Sequence, residues 1–228
     1  MCGRITLQTP MQVIADLFGG LPIPAMLASV KPRYNLAPTD MAVCIRDQNG
    51  LEMAGLRWGL IPFWSKDLKI GARMINARSE TVAEKPSFRE AFKKRRCLVM
   101  ADGFFEWKKV EDGKQPFYIS RADRQPFAMA GLWESWRDKA DPQSQPVETC
   151  TVITTSANPF MSPLHDRMPV ILDESEQQLW LDPEIAGRET LESLLKPYDK
   201  DGFRMYPVSR FVNKAGNESE ECVTEIEL

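Results

Sequence analysis

The tripeptide Gln48-Asn49-Gly50 constrains this chain most. Asparagine and glycine tolerate positive φ, which a tight turn between antiparallel strands demands, and strand-like runs flank it at Met41–Asp47 and Leu51–Trp58. Glu111-Asp112-Gly113-Lys114 repeats the signal between runs at 104–110 and 117–120. Further strand-like runs fall at 97–101, 127–132, 148–155 and 204–208. Short runs separated by turns predict hairpins and a curled sheet rather than a doubly wound one.

Helices are predicted where apolar spacing changes to the helical period. Thr9-Pro10 opens one, with Thr9 as cap and Met11, Ile14, Ala15 and Phe18 as the apolar face, until Gly19-Gly20 ends it. A second spans about 87–94. Asp173 and Glu176 have capping-box spacing ahead of a helix through Leu181, and one more is expected over 183–195. Residues 21–40 are proline-rich and read as loop. No repeat, low-complexity tract or linker divides the 228 residues. The expected fold is therefore α+β: a single domain over 1–228 with a curled, barrel-like antiparallel β core and peripheral helices.

Composition excludes several classes. No apolar run approaches the roughly 20 residues of a membrane helix, and no signal peptide is recognisable. Cys2, Cys44, Cys97, Cys150 and Cys222 are odd in number, scattered and free of any CxxC pair. That argues against a disulfide framework or zinc site and for a reducing cytosol. No metal or organic cofactor is implied. A net charge of −3 gives the whole chain no attraction to nucleic acid, so any phosphate contact needs a local basic patch.

The chemistry-bearing residues are few. Met1-Cys2-Gly3-Arg4 opens the chain, and removal of Met1 would leave Cys2 with an α-amine and a thiol on adjacent carbons. Such an aminothiol condenses with an aldehyde to an imine and then closes a thiazolidine. The only histidine, His165, stands in the proline-bounded segment Ser162-Pro163-Leu164-His165-Asp166-Arg167-Met168-Pro169. It is either a proton shuttle or a surface side chain bonded to Asp166. In Asp102-Gly103-Phe104-Phe105-Glu106-Trp107-Lys108, alternation places Phe104, Glu106 and Lys108 on one face. Glu106 is then either a desolvated acid–base group or half of an exposed Glu–Lys pair. Asn76 and Arg78, in Ile75-Asn76-Ala77-Arg78-Ser79-Glu80-Thr81, suit a sugar oxygen and a phosphate; a structural Arg78–Glu80 contact is the alternative. In Trp58-Gly59-Leu60-Ile61-Pro62-Phe63-Trp64, Trp58 fits a core and Trp64 an exposed stacking platform. The basic run Lys93-Lys94-Arg95-Arg96 is explained as the C-terminal end of a helix.

Together with Tyr34-Asn35-Leu36-Ala37-Pro38, Pro207-Val208-Ser209 and Val212-Asn213, these ordered blocks make the chain resemble the SRAP (SOS-response-associated peptidase) family over nearly its whole length. The resemblance implies an abasic-site sensor acting in the DNA-damage and SOS response. It implies that Cys2, freed by self-removal of Met1, captures the lesion's aldehyde as a thiazolidine DNA–protein crosslink, with a lyase side activity at the imine stage. Glu106, His165 and Asn76 would serve Cys2. Arg4, Arg78 and Arg167 would contact phosphates, and Pro38, Trp64 and Trp107 would stack on bases. The implied partner is single-stranded DNA or its junction with duplex, bound by a monomer in the cytoplasm and nucleoid of a bacterial-type cell. Phe63-Trp64 departs from relatives that carry two tryptophans, which bears on stacking strength only. Rival readings are an N-terminal-cysteine amidotransferase or thiol hydrolase, and a non-covalent single-strand binding module.

Overall fold

A computed structural model of the chain describes residues 2–141 and 143–228. The expected hairpin is present: β3 (Met41–Asp47) and β4 (Leu51–Trp58) pair antiparallel, Asp47 opposite Leu51, around Asn49 at φ 72° and Gly50 at φ 124°. Those left-handed values explain the residue choice. The second turn is tighter. β7 (Gly103–Val110) and β8 (Gly113–Arg121) pair from Val110 opposite Gly113, so that Glu111 and Asp112 alone form the loop.

Two sheets result. One has the order β13 (Phe203–Pro207), β8, β7, β1 (Ile5–Leu7), β2 (Arg33–Leu36). In the other, β4, β3, β6 (Arg96–Ala101), β9 (Phe127–Trp136) and β10 (Val147–Ser156) pair in succession, and β10 returns to β4, closing a ring of strands. Short strands β5 (Asn76–Arg78), β11 (Arg167–Pro169) and β12 (Ile171–Leu172) extend it. The curled core is as expected, with one correction to its antiparallel character. β10 runs parallel to both β4 and β5. Ring closure joins strands remote in sequence, where no tight turn dictates direction.

Helices α1 (Met11–Leu17), α3 (Arg89–Lys94), α4 (Glu174–Leu181) and α5 (Arg188–Ser193) bring Ile14, Phe92, Trp180 and Leu191 against Val43, Ile45, Leu98 and Met100 of the ring. The opposite faces of the same strands hold Cys44, Cys97 and Cys150 with Val99, Met129 and Val152. Ile5 and Phe104 of the five-stranded sheet, and Cys2 just before β1, join this second cluster. A third, with Phe105, Tyr118, Tyr206 and Val212, covers that sheet's other face.

Three local expectations need correction. Thr9 does not cap α1: its hydroxyl is taken up by Asp102 Oδ1, to which it donates (2.6 Å), and Pro10 occupies the cap position. The proline-rich stretch contains α2 (Ala25–Ala28) and β2, the latter held as an edge strand by β1. The helix expected over 183–195 is shorter, confined to α5 behind Gly187 at its cap. The Asp173–Glu176 capping box of α4 forms as read. Among the described residues no helix is long and apolar enough to cross a membrane, and no group of His, Cys, Asp and Glu side chains is arranged to hold a metal.

Candidate active site

Cys2 lies just before β1, completely buried. Its carbonyl accepts a hydrogen bond from Asn76 Nδ2 at 2.8 Å. Asn76 is fixed from both sides. β5 pairs with β10, Asn76 opposite Val152, while the preceding carbonyl of Ile75 accepts from Trp58 Nε1 (2.9 Å) and Val152 N (3.1 Å). Gly59 makes this approach possible. It adopts φ 126°, and a Cβ there would stand 2.5 Å from the Gly71 carbonyl oxygen, so a side chain would force the end of β4 away from the segment that leads into β5. Asn76 Oδ1 is buried and has no hydrogen-bond partner among the described residues, which leaves an acceptor available to an incoming donor.

Glu106, on β7, is 2% exposed and so lies on a covered face of the strand. The exposed Glu–Lys pair is not formed: Lys108 reaches solvent and Glu106 does not. Burial pushes the Cys2 thiol far above its ordinary pKa, and the Glu106 charge raises it further. The thiol is therefore neutral near pH 7, and thiolate chemistry there requires a proton acceptor.

His165 completes the set. With Glu106, Trp107, Lys114 and Asn213 it lines an open cleft of about 390 Å³. Its Nδ1 accepts from the Arg167 amide at 2.9 Å and lies 2.7 Å from Asp166 Oδ1. With Nδ1 accepting, the neutral ring carries its proton on Nε2; a doubly protonated ring would pair with Asp166. The Asp166 contact expected of a surface histidine thus coexists with a place in the cleft. β11 carries the adjoining Arg167 and pairs with the end of β10, Ser156 opposite Arg167, beyond the stretch that holds β5. One strand end thereby positions both Asn76 and the His165 segment.

The remaining expected residues divide by what already engages them. Arg4 Nη1 donates to Asn35 Oδ1 (2.7 Å) and the Val212 carbonyl (2.9 Å), and Nη2 to the Asn213 carbonyl (3.3 Å). Arg167 forms a two-pronged pair with Glu80 and donates to the Thr154 carbonyl, and its hydrogen bond holds the Glu80 carboxyl below its usual range. Glu80 is thus engaged by Arg167, not by Arg78, which stands exposed on β5. Trp107 is half-buried, its Nε1 bonded to Asn213 Oδ1 at 2.7 Å. Trp64 and Phe63 are 41% and 52% exposed at the tip of a loop whose base is anchored by Trp136 Nε1 on the Ser65 carbonyl. Pro38 is partly buried and precedes Thr39 at φ 78°.

Sequence reading attached no role to Lys114, Asn213 or Asn35. Asn35 is wholly buried and binds the Val212, Lys214 and Asn217 carbonyls as well as Arg4, securing the segment that carries Asn213. A lone buried amide gives no periodic signal.

Known proteins match this chain along most of its length. The family model for SOS response associated peptidase (SRAP) matches residues 1–215. Abasic site processing protein YoqW of Bacillus subtilis is 43% identical over 227 residues, covering 98% of this chain and 99% of the relative. YedK of Escherichia coli, also titled an abasic site processing protein, is 34% identical over 84% of this chain and 83% of its own. HMCES of Gallus gallus, under the same title, is 32% identical over 87% of this chain and 67% of its own. A crystal structure from Bacteroides thetaiotaomicron superposes with a TM-score of 0.88 at 29% identity, covering 99% of this chain and all of that one. The chain belongs to the SRAP family.

Proposed function

We propose that this protein processes abasic sites in DNA by covalent capture at Cys2. The observation that carries the reading is the placement of Cys2, buried, with its carbonyl tied to Asn76 and its thiol under the influence of Glu106. Met1 lies outside the described residues, and its self-removal with help from Glu106 is part of the proposal. An abasic deoxyribose opens to an aldehyde at C1′. The Cys2 α-amine adds to that carbon and water leaves, giving an imine. The thiol then adds across the C=N bond, its proton passing to nitrogen, and a five-membered thiazolidine closes with net loss of one water. Because burial keeps the thiol protonated, the amine acts first and the thiol closes the ring with Glu106 relaying its proton.

His165 serves the sugar-opening and imine steps as proton shuttle, and Asn76 Oδ1 supplies an acceptor for the opened sugar or the amine. The imine acidifies the adjacent carbon, so a minor β-elimination of the 3′ phosphate is expected. Trp64 with Pro38 favours unpaired bases, Trp107 stacks beside the lesion, exposed Arg78 meets the backbone directly, and Arg4 and Arg167 reach phosphates by exchanging their present protein partners, so the reading takes single-stranded DNA as the substrate and a monomer as the acting species. The test is a denaturing gel with a single-stranded oligonucleotide carrying one abasic site, beside the same strand with a non-aldehydic tetrahydrofuran analogue. A heat-stable shifted band with the first strand alone supports the reading. No band with either refutes covalent capture.

A further inference from the structure

Lys114 lines the same cleft as Glu106 and His165. It follows the β7–β8 turn and pairs directly with Lys109, while Trp107 pairs with Pro116 two residues along. Cross-strand partners share a face, so the two lysines stand side by side and Trp107 is the diagonal neighbour of Lys114, about 7–8 Å away along the sheet. Like charges directly opposite each other weaken a hairpin. Among the described residues neither lysine has an ion pair, and Asp112 in the intervening turn is bound instead by Arg210 Nη2 at 2.8 and 2.9 Å. Trp107 is meanwhile held in one orientation by Asn213 Oδ1. Two adjacent ammonium groups beside an immobilised aromatic plane match what a single strand presents, alternating phosphates and bases.

We propose that Lys114 and Lys109 bind a phosphodiester of the strand next to the captured lesion, with Trp107 packing on the flanking nucleotide. This subsite rests on the reading of the cleft as a DNA site. The hairpin tolerates its like-charged pair because the polyanion offsets the repulsion on binding.

The test uses the full chain carrying Cys2→Ala, so that binding stays non-covalent, and an unmodified oligothymidylate read by anisotropy across a salt series. Each phosphate neutralised on a single strand contributes about 0.7 to the slope of log affinity against log salt. Lys114→Gln leaves Lys109 on the shared phosphate and should reduce the slope by part of that amount, and Lys114→Arg should restore it. Lys109→Glu places a carboxylate opposite Lys114; it should lower the slope while the melting temperature holds or rises. Lys94→Gln, in the densest basic run, should leave the slope unchanged. Parental slopes in both Lys114→Gln and Lys109→Glu overturn the subsite. If the wild-type protein still crosslinks abasic DNA in that event, the subsite alone fails. If it neither crosslinks nor binds, the reading of the cleft falls with it.

Discussion

Two regions place polar side chains out of solvent and use them in opposite ways. At the corner where α3 meets β6, the buried Arg96 guanidinium donates to the carbonyls of Phe92, Lys93, Trp180, Asp182 and Ile185, and Arg95 pairs with Glu134 at 2.8 Å. Beside Cys2, Asn76 satisfies one carbonyl and keeps a buried acceptor open, and Glu106 is buried against an open cleft. The first region has the higher density of charge and is scaffold. The second has modest charge and holds reactive groups near a surface a ligand can reach. The difference lies in one group of each region: the Arg96 guanidinium is engaged by five carbonyls, whereas Asn76 Oδ1 is buried with no hydrogen-bond partner among the described residues.

That contrast breaks or sharpens on substitution. The largest effect belongs to Cys2→Ala, which should abolish crosslinking on the denaturing gel while leaving weak binding. Cys2→Ser should give at best a labile adduct, so a fully stable one from it would refute thiazolidine closure. Glu106→Gln should slow Met1 removal by about 100-fold or more, the scale of a lost acid–base group, measured by mass over time. Complete processing in that variant would mean that another enzyme removes Met1. Arg96→Met should destabilise by roughly 3 kcal/mol through orphaned carbonyls, with DNA binding per folded molecule unchanged. A stable Arg96→Met protein that fails to bind would reverse the contrast between the regions. Trp64→Ala should weaken single-strand affinity by about 1–3 kcal/mol and erase the preference for unpaired over duplex DNA. The smallest effect concerns Glu80. Its folded pKa lies below its ordinary value, so the stability it contributes is full above about pH 4.5 and fades as pH falls through the lower folded value. Glu80→Gln should flatten that part of the acid denaturation curve.

How much of this was legible in the residues follows from the range of each interaction. The Asn49-Gly50 turn and the Asp173 capping box are local, complete within a few residues, and formed as read. Alternation placed Glu106 on one face of β7 but could not say whether that face was covered; the cover comes from a cluster that includes Cys2, about a hundred residues earlier. The same limit hid Arg96, whose exposed-looking basic run turns inward to meet carbonyls beyond Trp180. The parallel β4–β10 seam and the Thr9–Asp102 bond are long-range choices with no local signature. Arg78–Glu80 was the local alternative to a phosphate role for Arg78, and it does not form because β11 delivers a two-pronged donor, Arg167, to the carboxylate.

The central claim is that Cys2 becomes an N-terminal aminothiol that captures an aldehyde. Intact mass spectrometry of the purified protein, before and after incubation with a single-stranded oligonucleotide carrying one abasic site, tests it in one experiment. The account predicts a protein lacking Met1, followed by an adduct equal to protein plus oligonucleotide less one water. Retained Met1, or a processed protein that forms no adduct, would contradict it.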